Sequence, residues 1–487
     1  MGKRDRRLSP QGTEATLPGL EAWVGRHLRA VDTRGNGKII HDPLLGTNFF
    51  AAHEIAIIDT PLLQRLRSIA QTGLAYLVYP GARHSRFEHT LGTVALVERY
   101  VRALRAHGGA TPAIDEVDRW ELRLAALLHD LGHAFFSHSS ESLYRHLPEM
   151  AAYRRAKGLS KGAGELVSQA IIQTQAFRQY FAHAVRGVAT PPSLDRVAQY
   201  IVGKAPEPDR QFLADMISGP LDVDKLDYIH RDGYATGLRL VVDLDRFFSA
   251  VDVRRVAGAH RIVIRAPEPL EQIMFSKMML FATVYHHHKV KACDCLLESA
   301  VLSGSGRLAG LDHIVDYLNR MDATLLEDEG NPYMQRLRYR DLPYRAAILS
   351  RETVQDGWKI ALHELQKVAD EPTERRAIQD AIWERLPRDV RGALPRSEVW
   401  FTLPEPANLR ELELAFILRP GDEIVHAQEV VPTQGWIDAY KTYKSRGHVY
   451  APRQYVRDVF TATERYLHER YGLQFKADLV GKLCHWA

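Results

Sequence analysis

Residues 124–138 read Leu-Ala-Ala-Leu-Leu-His-Asp-Leu-Gly-His-Ala-Phe-Phe-Ser-His, and this stretch decides the fold. Its first five residues are apolar helix formers, which predicts a buried helix. His129 and Asp130 follow at the end of the apolar run, and Gly132 is expected to end the helix in a left-handed conformation. A buried polar pair costs free energy unless it has partners, and a divalent cation suits both an imidazole and a carboxylate. The stretch therefore predicts part of a metal site at the end of a core helix.

The composition is that of an ordinary globular protein, with 45% of the 487 residues hydrophobic and 25% charged. The 64 Lys and Arg exceed the 60 Asp and Glu by only four, which gives no reason to expect nucleic acid as a partner. Three cysteines provide no disulfide framework, so a reducing compartment is expected. No uncharged apolar run approaches the roughly 20 residues of a membrane span. The composition therefore predicts a soluble, cytoplasmic protein with no membrane partner.

The chain divides into an N-terminal tail over residues 1–37, a helical domain over 38–345 and a smaller mixed α/β lobe over 346–487. The predicted fold class is mainly α, with a small β-hairpin around Gly258 at residues 254–265. This division follows from the length of the chain, which is enough for a large core and a second lobe.

Three local expectations follow from breakers and periodicity. Residues 41–46 contain Pro and Gly and are expected to form a loop. The polar, glycine-rich residues 154–165 predict a mobile surface loop, and residues 268–300 predict one long helix.

Two ligands alone do not complete a metal site, and adjacent helical residues diverge by about 100°. The missing ligands must come from other segments. His89 fits because it lies just inside a helix that Phe87 begins, and Asp224 fits because it stands at the head of a helix that follows a Gly-Pro pair. The alternative for Asp224 is that it only caps its helix.

Asp224, Tyr228 and Asp232 recur every four residues, which places them on one helical face beside Lys225. Such a face offers one metal ligand together with groups for a phosphate chain. Arg86 and Lys277 are further candidates for neutralising an anion. Each basic residue taken singly has the alternative of being a solvated surface charge.

Several short motifs follow one another along the chain in a fixed order. They lie at residues 57–61, 64–67, 71–73, 79–82, 86–89, 129–133, 136–138, 222–228 and 284–287. In these segments the sequence resembles the HD-domain deoxynucleoside triphosphate (dNTP) triphosphohydrolases. That family includes the bacterial dGTPase-like proteins and the animal proteins that join a sterile-alpha-motif domain to an HD domain. The resemblance is to the animal-type catalytic core and covers roughly residues 38–300.

The resemblance implies a metal-dependent enzyme that releases deoxynucleoside and inorganic triphosphate after water attacks the α-phosphorus. The implied metal ligands are His89, His129, Asp130 and Asp224. The implied substrate-binding residues are Gln71, Thr72, Arg86, Lys225, Tyr228, Asp232, Lys277 and Tyr285. The mixed imidazole and carboxylate ligands accept Fe, Mn, Zn or, less readily, Mg.

The implied catalytic residues are His133, His138 and Glu141, with the two histidines as proton handlers near the scissile bond. The alternative for each histidine is a hydrogen-bonded position in the core. Glu141 stands where the family usually has aspartate. The family usually carries a His-Glu pair before the next helix, and this chain has Gly164 followed by Glu165. Either the reaction is slower, His138 or His146 substitutes, or the substrate differs.

Asp59, Gln64 and Arg67 match positions at which the animal enzymes bind an activating nucleotide at an oligomer interface. The resemblance therefore implies allosteric control and a homo-oligomer, a dimer or a tetramer, although this segment could equally serve packing.

The sequence leaves four functions open. The first is a dNTP triphosphohydrolase that limits the nucleotide pool, for housekeeping or for phage defence. The others are an HD phosphohydrolase that acts on another nucleotide, a nucleotide-sensing protein with weakened catalysis, and an exonuclease. No basic stripe interleaved with aromatic residues supports the last.

Overall fold

The computed structural model describes residues 16–28, 35–106, 112–158, 161–240, 242–355, 357–369, 371–403, 409 and 414–486. The fold is mainly α with small sheets, which confirms the predicted fold class. The α-helices span Leu20–His27, Ala52–Ile58, Pro61–Gln64, Arg86–Ala106, Glu116–Leu128, His138–Tyr144, Pro148–Lys157, Ala163–Gln173, Gln175–Ala184, Leu194–Ile201, Gln211–Ser218, Val223–Thr236, Leu244–Ala250, Glu268–Leu280, His288–Leu302, Ile314–Leu318, Asp322–Leu326, Pro332–Tyr339, Trp358–Ala369, Pro372–Glu384, Arg388–Ala393, Thr433–Lys444, Val456–Tyr471 and Ala477–Cys484.

The helix before the His-Asp pair spans Glu116–Leu128 and is buried from Glu121 onward. It packs against Arg86–Ala106, Leu194–Ile201 and Gln211–Ser218. Its N-terminus is capped by Asp115, whose carboxylate accepts a hydrogen bond from the backbone N–H of Asp118 at 2.8 Å. Because this apolar helix is capped and packs against three others, it fixes the position of His129 and Asp130, which follow it.

The helix does not end as predicted. It stops at Leu128 with His129 in a right-handed conformation, and Gly132 has no positive φ. The reason for a glycine at 132 is close packing, because an added Cβ would lie 2.2 Å from the backbone oxygen of Gly164 and 2.5 Å from the backbone nitrogen of Ser168. The left-handed residues of this stretch are Phe136 and Ser137.

Within the described residues, three small antiparallel or mixed sheets accompany the helices. The predicted hairpin is present as Val251–Val256 and Ala259–Ile264, and it is extended by Phe416–Leu418 and Ile424–His426. A third sheet has the strand order Tyr344–Leu349, Gly447–Ala451, Trp400–Thr402.

The remaining sheet contradicts the prediction of a loop over residues 41–46. The chain there forms a hairpin of Lys38–Asp42 and Gly46–Phe50, and only the turn between the strands is a loop. The carboxylate of Asp42 accepts hydrogen bonds from the backbone N–H groups of Leu44 and Leu45 at 2.8 and 2.9 Å, which tightens that turn.

Two further predictions, one of a helix and one of a loop, were also wrong. The single helix expected at 268–300 is divided into Glu268–Leu280 and His288–Leu302 by a wider π-type turn at Phe281–Tyr285. The loop expected at 154–165 is shorter than predicted, since Pro148–Lys157 continues into it and Ala163–Gln173 begins within it.

In the part of the chain that the structure describes, the buried hydrophobic residues form two clusters. The larger is built on the helices up to Pro332–Tyr339 and also takes residues from 400 to 450, such as Ile417 and Ile437. The smaller joins residues 346–403 to residues 449–484. The domain boundary at 345/346 stays a prediction, because chain beyond it contributes to both clusters. Among the described residues no helix combines the length and apolarity needed to cross a bilayer.

We expect Gly132→Ala to destabilise the fold by about 1–3 kcal/mol, because the new methyl group would overlap backbone atoms of Gly164 and Ser168. Chemical denaturation of the variant and the parent protein measures the difference.

Gly435→Ala is the matched control, since Gly435 is exposed in the helix Thr433–Lys444 with no atom near an added Cβ. That substitution should stabilise the protein by about 0.5–1 kcal/mol through helix propensity. Equal stability of the parent and Gly132→Ala would contradict the packing role given to Gly132.

Candidate active site

Three segments bring the four predicted metal ligands together. His89 lies on helix Arg86–Ala106, His129 and Asp130 follow helix Glu116–Leu128, and Asp224 lies in the first turn of helix Val223–Thr236. His89 Nε2 is 3.0 Å from Asp224 Oδ1 and 3.6 Å from Asp130 Oδ2. His129 Nε2 is 3.9 Å from the same Asp224 oxygen and 3.4 Å from Asp130 Oδ1. One small space is therefore bordered by two imidazoles and two carboxylates.

The two imidazoles are oriented for metal binding through Nε2. The Nδ1 atom of His129 lies 2.7 Å from the carbonyl oxygen of Ala126, and Nδ1 of His89 lies 2.8 Å from Asp227 Oδ2. Each Nδ1–H therefore donates to an oxygen, which leaves the lone pair on Nε2. Both Nε2 atoms are buried and make no well-directed hydrogen bond within the described residues. Buried lone pairs facing ionised carboxylates fit a divalent cation.

The electrostatics of this space favour positive charge. Burial alone would lower the pKa of His89, but without a cation the carboxylates of Asp224 and Asp227 outweigh it and raise the pKa to about 10. Nε2 then carries a proton, and a bound divalent cation would replace that proton and take up the Nε2 lone pair. Burial alone would raise the pKa of Asp130, but the Arg86 guanidinium and the neighbouring imidazoles hold it well below its usual range. The carboxylates thus stay ionised at neutral pH, as metal ligands must.

Asp227 is a functional position that the sequence analysis did not assign. Its carboxylate accepts from His89 on one side and from the Nε and Nη2 of Arg231 on the other, with all three distances at 2.8 Å. Arg231 also contacts Asp42 Oδ2 at 2.8 Å. Asp227 follows Asp224 by three residues on one helical face, and this spacing is the signal that could have identified it.

Arg86 holds the site together in addition to its predicted role toward phosphate. Its Nη1 donates to Asp130 Oδ2 at 2.7 Å, and its Nε donates to Ser137 Oγ at 2.8 Å. Its Nη2 lies 3.4 Å from His138 Nε2 at the edge of the cavity. The guanidinium therefore links a metal ligand to a predicted proton donor.

The three predicted catalytic residues form a second cluster beside the metal ligands. His138 Nδ1 lies 2.9 Å from Glu141 Oε2, and His133 lies between Asp130 Oδ1 at 3.3 Å and Glu141 Oε2 at 3.9 Å. The side chain of His138 is 74% exposed and faces the cavity, whereas His133 is buried.

The two histidines differ in protonation. The surrounding protein lowers the pKa of His138, but the hydrogen bond with Glu141 outweighs that effect and the net pKa is raised. Burial and the charge of Arg86 lower the pKa of His133 to about 4. His138 is thus suited to donate a proton near neutral pH, and His133 is neutral there.

Gly164 lies directly against the ring of His133. An added Cβ would be 2.5 Å from the Cε1 and Nε2 atoms of that ring, and the Gly164 N–H donates to Glu141 Oε1 at 3.1 Å. A histidine at 164 therefore does not fit unless His133 moves. Of the two substitutes predicted for it, His138 lines the cavity, whereas His146 is outside the lining and accepts from Arg145 Nε at 2.9 Å. Burial and the nearby Glu141 carboxylate raise the pKa of Glu165.

A cavity of about 950 Å³ opens from these clusters. All eight predicted substrate-binding residues line it, namely Gln71, Thr72, Arg86, Lys225, Tyr228, Asp232, Lys277 and Tyr285. Asp232 is nearly buried, with Oδ1 at 2.7 Å from Nε2 of His84 and Oδ2 accepting from the Tyr285 hydroxyl. His84 was not predicted, although it lies only two residues before Arg86.

The three predicted allosteric residues lie apart from this cavity. Asp59 accepts from Lys38 Nζ at 2.6 Å, and Arg67 Nε donates to Gln64 Oε1 at 2.7 Å. The guanidinium of Arg67 also stacks 3.7 Å above the ring of Phe87. Their regulatory role stays a prediction.

The chain matches one domain family and several known proteins. Residues 86–231 match the HD domain, and this range contains all four predicted metal ligands. The chain is 29% identical to human deoxynucleoside triphosphate triphosphohydrolase SAMHD1 over 388 residues, which is 74% of this chain and 59% of that protein. It is 27% identical to a SAMHD1 homolog of Dictyostelium discoideum over 63% of this chain and 58% of that protein. It is also 29% identical to an uncharacterized protein of Methanocaldococcus jannaschii over 62% of this chain and 60% of that protein. The chain thus spans about 60% of the length of these relatives.

We expect Asp227→Asn to weaken divalent metal binding by about 10- to 100-fold, because His89 loses the carboxylate that orients it. Calorimetric titration of metal-free protein with Mn²⁺ measures the affinity.

Asp245→Asn is the control, since Asp245 is 95% exposed and pairs with Arg99. It should bind Mn²⁺ as the parent does. If Asp227→Asn also binds with the parent affinity, the orienting role of Asp227 is wrong.

Proposed function

We propose that this chain, an HD-domain protein related to the dNTP triphosphohydrolases, is a metal-dependent phosphohydrolase that cleaves a dNTP to the deoxynucleoside and inorganic triphosphate. One observation carries the proposal: a single cavity of about 950 Å³ is lined by three of the four metal ligands, by three basic side chains and by Asp232 with Tyr285. The three ligands are His129, Asp130 and Asp224. Cavities of this size enclose small-molecule ligands. The names of the human and Dictyostelium relatives point to the same substrate class.

The phosphate chain would lie between the metal ligands and the basic residues. Arg86, Lys225 and Lys277 line this part of the cavity. The Lys225 ammonium is held by Asp222 Oδ2 at 2.7 Å and by the Gly219 carbonyl at 3.0 Å, so its position is fixed before a substrate arrives. Fixed cations favour the charge of a triphosphate without reorganising during the reaction.

The sugar would lie against Asp232. Each of its two carboxylate oxygens already accepts one hydrogen bond, from His84 and from Tyr285, and each retains an acceptor position. An ionised carboxylate with spare lone pairs binds a sugar hydroxyl. Tyr228 lies one helical turn before Asp232 and lines the same wall.

The chain's own residues supply the proton chemistry. When bound, a divalent cation would lower the pKa of a water molecule and polarise the α-phosphoryl group. In hydrolysis the oxygen of a water molecule would bond to the α-phosphorus while the bond from phosphorus to the 5′ oxygen breaks, and the proton that the water loses would pass to solvent. His138, kept protonated by Glu141 at 2.9 Å, donates its proton to the leaving 5′ oxygen. Arg86 keeps Asp130 ionised and faces the charge that develops.

The sensor alternative has less support than hydrolysis. It was motivated by the absence of a histidine at 164, yet the His138–Glu141 pair offers a proton donor in the cavity without one. Nucleotide activation, a homo-oligomer and a role in phage defence stay predictions.

We expect metal-loaded protein to convert at least one dNTP to deoxynucleoside and triphosphate, as measured by chromatography after incubation with each dNTP, each NTP and single-stranded DNA. His129→Ala should abolish this turnover, because it removes a metal ligand.

Other outcomes of this incubation would support other functions. Release of orthophosphate supports an HD phosphohydrolase acting on another nucleotide, and tight binding without turnover supports a sensor. Degradation of single-stranded DNA with no turnover of free nucleotides would contradict the proposed function.

We expect Glu141→Gln to move the alkaline limb of the pH dependence of kcat/KM to lower pH. The reaction needs protonated His138, so activity falls as pH rises through the pKa of that imidazole, and Glu141 raises this pKa. Removing the carboxylate lowers the pKa, and activity is then lost sooner as pH increases.

Glu149→Gln is the matched control. Glu149 makes the same kind of contact with His313, at 2.7 Å and outside the cavity lining, so the profile should not change. An unchanged alkaline limb in Glu141→Gln would show that His138 is not the proton donor.

A further inference from the structure

The backbone just before His138 is left-handed at two consecutive residues that are not glycine. Phe136 has φ of 51° and Ser137 has φ of 52° with ψ of −123°. Both residues are buried, Phe136 at 0% and Ser137 at 1% exposure. The other described non-glycine residues with positive φ, Ala257, Arg340, Asp422 and His485, are all exposed. A buried left-handed pair costs free energy and persists only where surrounding contacts hold it.

Asp322 supplies one of these contacts. It begins the helix Asp322–Leu326 and is 7% exposed. Its Oδ1 accepts from the backbone N–H of Phe136 at 2.7 Å, and its Oδ2 accepts from the backbone N–H of Ala70 at 2.8 Å. One carboxylate therefore joins the strained segment to the loop that presents Gln71.

Ser137 supplies the other contact. Its Oγ donates to the carbonyl oxygen of Ala70 at 2.6 Å and accepts from Arg86 Nε at 2.8 Å. The hydroxyl thus uses its hydrogen bonds on the same loop and on the guanidinium that faces Asp130. Such a hydroxyl fixes the guanidinium as well as the backbone.

We propose that Ser137 and Asp322 are positioning residues of the active site: together they hold the left-handed backbone that directs His138 into the cavity between Arg86 and Glu141. The inference rests on the proposed function only in that His138 is the group whose placement matters. An extended or helical backbone at Ser137 turns the following residue to a different side of the chain, since φ and ψ set its direction. His138 would then lose its contacts with Glu141 and Arg86.

A pair of substitutions separates positioning from mere structural support. Ser137→Ala and Ser137→Gly both remove the hydroxyl, but only glycine adopts positive φ without strain. We expect the glycine variant to have the higher thermal unfolding midpoint of the two. We expect the alanine variant to have the lower kcat as well, because strain at positive φ favours a backbone that turns His138 out of the cavity, whereas glycine retains the native φ and ψ.

The expected loss of kcat is about 10- to 100-fold relative to the parent, with a smaller change in KM, as for a misplaced catalytic group. Asp322→Asn should act in the same direction, since an amide nitrogen replaces one of the two acceptors. Ala257→Gly is the control: it relieves a positive φ of 48° at an exposed turn and should leave kcat unchanged.

A substrate-free measurement keeps this test apart from that of the proposed function. In protein with ¹³C-labelled histidine, the His138 resonance is identified by its loss in His138→Gln, and its titration is followed by NMR. The pKa of His138 is raised in the parent by Glu141. It should move back toward the ordinary value of about 6.5 in Ser137→Ala.

The outcomes are distinct. If the parent hydrolyses no nucleotide but the titration of His138 shifts, the proposed function fails and the positioning role stands. If the kcat of the alanine variant equals or exceeds that of the glycine variant, or if the alanine variant has parent kcat and an unshifted His138, the positioning role is overturned.

Discussion

The buried ion pair between Arg86 and Asp130 is the contact on which the site depends. The two side chains are each 3% exposed and meet at 2.7 Å. Taking both charges out of water costs several kcal/mol for each ion, and breaking such a pair costs about 3–5 kcal/mol. The pair is retained because both members have further partners: Asp130 has His129 and His133, and Arg86 has Ser137. It joins the first turn of the helix that carries His89 to the loop that carries two further ligands.

Close backbone packing lets these segments approach one another. Gly132 meets the backbone at Gly164 and Ser168, and an added Cβ at Gly92 would lie 2.1 Å from Asp227 Oδ1. Asp227 in turn orients His89. Glycines therefore act here through the absence of a side chain, which brings helices close enough for side chains from three segments to share one cation.

Local patterns predicted part of this arrangement. The apolar run before His129 and the four-residue spacing of Asp224, Tyr228 and Asp232 each specify one face of one helix, so they could be recognised from the sequence. The roles of His84, Asp227 and Asp322 depend on contacts between residues 138 to 252 positions apart, which no local pattern contains. The left-handed conformation of Phe136 and Ser137 was likewise hidden, because neither residue type favours positive φ and tertiary hydrogen bonds impose it. The π-type turn at Phe281–Tyr285 is a similar case: helical periodicity continued through it, and the contact of Tyr285 with Asp232 became visible only in the fold.

The central claim is that His89, His129, Asp130 and Asp224 hold one divalent cation. Anomalous diffraction at the manganese edge from crystals grown with Mn²⁺ tests it most directly. We expect one strong peak at about 2.0–2.3 Å from the Nε2 atoms of His89 and His129 and from carboxylate oxygens of Asp130 and Asp224. A peak confined to His133, His138 and Glu141, or no peak at either cluster under saturating Mn²⁺, would contradict it.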